Sequence, residues 1–487
     1  MGTHTTKGIG QIALQGGLKM LLSQGVKLVV QIASIVVLAR LVTPEDFGLV
    51  AFLTSIFAFV GLFSEFGLTM AIVQKEQIQE KDLNTLFRIS AGIGMLLLLC
   101  IGVAGLLASW MSGESRYQWI FGIFAVMFFS KSLSTVPQGL IRRRMQFGFL
   151  SLQEAATFLF GALAAVAIAT QGRGILALIA FQFIPALLMC GSSWFFAGWR
   201  PKRGVGSFQH ASSYFSFGGA FTLVEIANTV CKHIDNLLIG KVWGMELLGQ
   251  YTRAYALMLA PLNQVMGPIG SVLIPSFSRI HQNKNEFRKL TMGLFVSFIG
   301  LTAPAAAFLI TCSNPIVHLL LGPRWDPAQE IFWWFAFAVF CKPLGCHIYW
   351  IFVSCGQMKQ MMRWTFINMI LTVSAIFIGL PYGPIRVAAL FSISEMALQI
   401  PLAIFFLGKT KLIPAEKWYK NYILGVGLLG GSYCILQLIQ NKLGDYSLSP
   451  NTELGSLACV TIALSVSIIF AIPESRNFLR GCIERII

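Results

Sequence analysis

Apolar stretches of about 20 residues, each closed by a short polar or Pro/Gly-containing break, recur along the whole chain. A helix rising about 1.5 Å per residue crosses a hydrocarbon core of about 30 Å in that length, so each stretch predicts one membrane-spanning helix. About fourteen can be placed, centred near Val30, Ala58, Leu98, Phe128, Ala162, Leu187, Ala227, Leu262, Leu301, Ala338, Ile370, Leu398, Leu429 and Leu464. They leave connections too short for a soluble domain. The first stretch has no A-x-A cleavage site after it and is followed by many more, so it reads as a retained helix and not as a signal peptide.

Composition agrees with an all-α polytopic membrane protein. Hydrophobic residues make up 56% of the 487 and charged residues 11%, against roughly a quarter charged in a soluble domain. Mean hydropathy is +0.72. The ten cysteines are scattered singly, without a C-x-x-C, as small buried thiols are and as metal or disulfide frameworks are not.

The net charge of +16 raises the question of an anionic partner. Sorted by position, it divides. With the N-terminus placed on the cytoplasmic side, inner connections carry roughly three basic residues for each outer one, among them Arg142, Arg143, Arg144, Arg200, Lys202, Arg288 and Lys289. The bias sets both termini in the cytoplasm and gives no reason to invoke nucleic acid.

Arg40-Leu-Val-Thr-Pro-Glu45-Asp-Phe-Gly48 follows the first span, and Lys241-Val-Trp-Gly-Met-Glu246-Leu-Leu-Gly249 follows the seventh. Overlaid, a basic residue, a glutamate, a bulky apolar residue and a glycine coincide. Six spans separate the copies, so both halves keep one orientation, related by an axis along the membrane normal. The expected organisation is therefore a lobe over residues 1–203, a pseudo-symmetric lobe over 204–410, and two further spans with a tail over 411–487.

Polar residues inside spans are costly in lipid and face a bundle interior or a wet cavity by default. Ser23, Gln24, Lys27, Gln31 and Ser34 fall within an arc of about 100° on span 1. Thr222, Glu225, Asn228, Thr229, Lys232, Asp235 and Asn236 fall within about 140° on span 7. The repeat overlays the two stripes, which points to a shared hydrated cavity. Lys27 and Lys232 lie roughly 20 and 14 Å below the outer surface. Lys131 and Lys342 are the other intramembrane lysines, Arg253 enters span 8 from outside, and Glu65, Glu154 and Glu395 lie nearer the cytoplasmic ends of their spans. A structural account stands beside the cavity account: Lys232 and Asp235 are close enough on one helix to neutralise each other, and Arg253 can snorkel. His233 and His347 read as packed polar residues. No metal-ligand spacing, phosphate-cradling loop or nucleophile–base pair occurs, and the longest outer loop, Gln440 to Thr452, carries only Asp445 as an acid before its end. The expectation is a transporter and not an enzyme, with no cofactor.

Several segments carry a resemblance. Ala39-Arg-Leu-Val-Thr-Pro-Glu-Asp-Phe-Gly48, Asp235-Asn-Leu-Leu-Ile-Gly240, Leu248-Gly-Gln-Tyr-Thr-Arg-Ala-Tyr255, Pro275-Ser-Phe-Ser-Arg279 and Leu321-Gly-Pro-Arg-Trp325 resemble, in order and spacing, Wzx-type polysaccharide repeat-unit flippases of the multidrug/oligosaccharidyl-lipid/polysaccharide (MOP) superfamily. Lys342-Pro343 departs from that pattern.

The resemblance implies a two-lobed bundle in the bacterial inner membrane that carries undecaprenyl-pyrophosphate-linked oligosaccharide to the periplasmic leaflet by alternating access. On this expectation Lys27, Gln31, Lys131, Lys232, Arg253 and Lys342 meet the substrate. Glu225 and Asp235 balance charge or take a coupling ion, Na+ or H+. The expected partners are the lipid-linked substrate, membrane lipids, and a polysaccharide polymerase with its chain-length regulator. A lipid II flippase and a drug/cation antiporter of the same superfamily are the competing readings.

Overall fold

The computed structural model describes residues 25–65, 68–69, 72, 78–144, 146–202, 208–444 and 450–483, the side chains of 63, 65, 147, 208–224, 444, 450 and 479–483 excepted. Ser23, Gln24, Asp445 and the side chains of Glu65 and Thr222 lie outside the described residues. Helices follow the predicted stretches, and no strand occurs among the described residues. By contacts the chain forms two compact units, Met1–Leu237 and Leu238–Ile487.

The first unit holds α1 (25–41), α2 (Pro44–Glu65), α3 (Glu80–Ser112), α4 (Arg116–Arg143), α5 (Phe147–Ala169), α6 (Gly174–Ala197) and the start of α7 (Phe208–Ile280). The second holds the rest of α7, then α8 (Lys284–Thr311), α9 (Ser313–Leu320), α10 (Asp326–Ser354), α11 (Met358–Gly379), α12 (Pro384–Ser394), a π-turn (Glu395–Gln399), α13 (Ile400–Lys409), α14 (Ala415–Gly444), α15 (Pro450–Ala471) and α16 (Pro473–Ile483). Twelve helices among the described residues are long and apolar enough to cross a membrane. α7 is one of these, as a single piece over Glu225–Ile280, and α1 is not among them.

Burial runs opposite to that of a water-soluble helix. α3 buries Ser90, Gly94 and Gly105, while Leu96, Leu99, Val103 and Leu106 are exposed. Lipid is as apolar as leucine, so small residues go where backbones meet and large ones face outward. A Cβ on Gly94 would stand 2.7 Å from that of Ser132 on α4, and one on Gly161 of α5 would stand 2.5 Å from the Pro185 ring on α6. These glycines set how closely the helix pairs approach. Phe57 of α2 fills the centre, stacked on Phe124 at 4.4 Å.

Each copy of the repeated motif lies at a break between helices. α1 ends at Leu41, and Thr43 caps α2 by accepting from the Asp46 N–H at 3.2 Å, with Pro44 at the first helical position and Glu45 and Asp46 in the first turn. The repeat aligns Thr43 with Gly244, and there α7 breaks, at φ 85° and ψ 173°, a conformation suited to glycine. Each corner leans on a later connection of its own unit. Asp46 and Val42 press against Gly174 at the start of α6. The Trp243 indole donates to the Leu380 carbonyl at 2.7 Å, just before α12.

α8 is the spine of the second unit, buried along most of its length. His347 of α10 sits beside it, fully buried and stacked on Trp418 at 5.7 Å between Phe277, Phe295 and Phe298. Its Nε2 lies 2.9 Å from the Thr291 carbonyl. Only an N–H can satisfy that contact, so Nε2 carries the proton and the ring is a packed core group.

Candidate functional site

Charged groups that the sequence leaves inside spans come together differently in the two units. In the first, Lys27 of α1 meets Glu154 of α5, Nζ to Oε2 at 3.4 Å, both half-buried to exposed. Gln31, one turn along α1, is half-buried. Gln182 of α6 donates to Thr54 of α2 at 3.3 Å, so the neighbouring faces are also polar.

In the same unit, α7 reaches α2 through Ser55. Its hydroxyl lies 3.3 Å from His233 Nδ1 and accepts from the Asn236 amide at 3.0 Å. Asp235 is buried, and its Oδ1 accepts from the Asn236 N–H at 2.8 Å. Glu225 accepts from Asn228 at 3.5 Å. Lys232 is exposed on α7, as is Lys131 on α4. Arg143 and Arg144 donate to the carbonyls of Ile72 and Ala197, so two members of the triple-arginine run hold connections in place.

In the second unit Lys342 of α10 pairs with Glu395 at 2.8 Å and lies 5.0 Å from the Phe391 ring centre. Glu395 is 5% exposed and opens the π-turn that divides α12 from α13. Pro401 explains the turn. The Ile400 N–H bonds back to the Glu395 carbonyl, one residue further than in an α-helix. The next carbonyl in that register, Met396, would take its donor from Pro401, which has none. The Tyr422 hydroxyl of α14 supplies it instead. Gln399, buried one turn on from Glu395, donates to Thr372 of α11 and to Ser394, both at 3.3 Å. Arg253 is half-buried in α7, nine residues beyond the break at Gly244.

Sequence reasoning named Lys27 and Lys342 without their partners. Glu154 and Glu395 were visible as acids inside spans, and opposite charge was the available signal, but which helices touch is not encoded in periodicity. Two of the recurrent motifs prove to be one structural joint. The buried Gln250 donates to the Arg324 carbonyl at 3.0 Å, Gly322 turns the chain at φ 94°, and Trp325 is fully buried.

The sequence profile described as "Polysaccharide biosynthesis protein" matches residues 37–330. That stretch is more than half of the chain. The chain belongs to this family. Among relatives, the succinoglycan biosynthesis transport protein ExoT of Rhizobium meliloti (strain 1021) is 25% identical over 70% of this chain and 69% of its own length. The lipopolysaccharide biosynthesis protein WzxC of Escherichia coli (strain K12) is 23% identical over 60% of this chain and 59% of its own. Of solved structures, the lipid II flippase MurJ in its inward closed conformation superposes with a TM-score of 0.73 at 16% identity, over 95% of this chain and 99% of that one. At that identity the likeness establishes the fold. This polysaccharide biosynthesis family member is thus a multi-pass membrane protein with the fold seen in that structure.

Proposed function

We propose that the protein carries an undecaprenyl-pyrophosphate-linked oligosaccharide repeat unit from the cytoplasmic to the periplasmic leaflet of the bacterial inner membrane, by alternating access. The observation that carries this reading is the pairing of an intramembrane lysine with a carboxylate in each unit, Lys27 with Glu154 and Lys342 with Glu395, in a chain of a polysaccharide biosynthesis family. A pyrophosphate cannot cross about 30 Å of hydrocarbon unaided. An ammonium paired with a carboxylate is already in place when the anion arrives, and the pyrophosphate replaces the carboxylate as its partner. Exposed Lys131 and Lys232, with Gln31, are further substrate contacts in the first unit, and Arg253 is one in the second. Glu225 and Asp235 balance charge or take a coupling Na+ or H+.

The proposed topology has fourteen crossings, α1 counted as one and α7 as two divided at Gly244, with both termini in the cytoplasm. A polymerase and a chain-length regulator act on the delivered unit. The decisive experiment deletes the gene and identifies lipid-linked intermediates by mass spectrometry. A pyrophosphate-linked oligosaccharide accumulating on the inner leaflet, with loss of one surface polymer and continued cell-wall growth, is the expected outcome. An unaltered cell surface with no accumulation would refute the proposal, and arrested wall growth would favour the lipid II reading.

A further inference from the structure

Away from the intramembrane lysines, the second unit carries a cavity of about 750 Å³ bounded by the starts of three helices: one face of α8 between Asn285 and Met292, Pro414 and Lys417 at the start of α14, and Glu474, Asn477 and Phe478 of α16. α8 and α14 enter the membrane at this end and α15 leaves it just before α16, so the cavity lies at one membrane surface. α16 is fixed there: Ser475 and Ser297 share a hydrogen bond at 2.8 Å, and Phe478 lies so close over Gly293 that a Cβ would stand 2.6 Å from it. Arg288 secures the opposite wall by donating to the Lys411 and Leu412 carbonyls, both at 3.1 Å.

The cavity's chemistry is two-sided. Three helix N-termini, each a partial positive charge, converge on it with Arg288, Lys289 and Lys417. Glu286 and Glu474 offset part of that charge. Lys289 and Lys417 are exposed, and neither forms an ion pair with a described residue. Leu290, Met292 and Phe478 give the same cavity an apolar part. Basic pockets between helix ends at a membrane surface suit anionic lipid head groups, whereas a soluble phosphate would leave the apolar part unused.

We propose that this cavity holds one anionic phospholipid, its phosphate between Lys289 and Lys417 and the start of its acyl chains against Leu290, Met292 and Phe478. The proposal rests on the chain's crossing the membrane and not on what it transports. The test is native mass spectrometry of the full-length protein with phosphatidylglycerol, phosphatidylcholine, inorganic pyrophosphate and a polyprenyl pyrophosphate as separate probes. The wild type should retain phosphatidylglycerol over phosphatidylcholine, and the Lys289→Gln/Lys417→Gln double variant should lose that preference by about tenfold. Lys284→Gln, which removes a nearby charge that does not line the cavity, should leave it unchanged. Equal retention in wild type and double variant overturns the site. Pyrophosphate binding lost with the same two lysines overturns the lipid in favour of a free anion, and preference for the polyprenyl pyrophosphate overturns it in favour of the transported class. Surface-polymer export by the same variants is read separately, so the flippase reading can fail while the lipid site stands.

Discussion

Lys342 and Glu395 differ from Lys27 and Glu154 in burial, and that difference decides what each pair contributes. Removing one partner of a buried pair leaves an uncompensated charge and costs about 3–5 kcal/mol, whereas replacing both by apolar groups is often neutral. A half-exposed pair contributes about 0–1 kcal/mol. Because Glu395 is buried and Lys342 only partly so, Glu395→Gln should cost about 3 kcal/mol, read as a lowered thermal midpoint in detergent. Lys342→Met/Glu395→Leu should regain most of it. Glu154→Gln should move stability by less than about 1 kcal/mol. If Lys342 also meets the substrate, the restored double variant will fold and still not export polymer; export at the wild-type rate would leave the pair a purely structural one. The charges themselves were legible in the sequence as costly residues in apolar spans. Their pairing was not, since Glu395 is far from Lys342 along the chain and a π-turn sets its direction.

That turn shows where helix periodicity stops predicting. Over α12 and α13 the apolar pattern reads as one continuous span, and the chain does form one crossing there, over Pro384–Lys409. Pro401 lies within it, and whether a proline kinks, breaks or widens a helix depends on which neighbour meets the freed carbonyl. Here Tyr422 meets the carbonyl of Met396. Tyr422→Phe should therefore orphan a part-buried acceptor and cost about 1 kcal/mol. In a Pro401→Ala background the new N–H can serve Met396, so the same tyrosine change should cost much less, and a double-mutant cycle by thermal unfolding will read the difference. Equal costs in both backgrounds would mean that the proline does not set the turn. The break at Gly244 is the reverse case: the repeat predicted a corner at this place, and only the positive φ showed that the chain passes it without leaving a loop.

Across the whole chain, hydropathy was the most legible feature because the bilayer acts on long windows, so single misjudged residues average out. Helix existence follows from length alone and needs no knowledge of contacts, and the basic residues add an expectation about which connections lie in the cytoplasm. The same argument yields a test of the orientation. The turns at Gly172 and Gly383 precede α6 and α12, and Lys284 and Arg476 flank α8 and α15 at the opposite ends of their spans. In a cysteine-free background, single cysteines at Gln171 and Tyr382 beside those turns should react with a membrane-impermeant maleimide in intact cells, while cysteines at Lys284 and Arg476 should react only after permeabilisation. All four positions are exposed, so accessibility reports membrane side and not burial. The reverse labelling would invert the topology and place the cavity with Lys289 and Lys417 at the outer surface. It would also leave the basic residues concentrated outside, against the rule that made the excess charge topological.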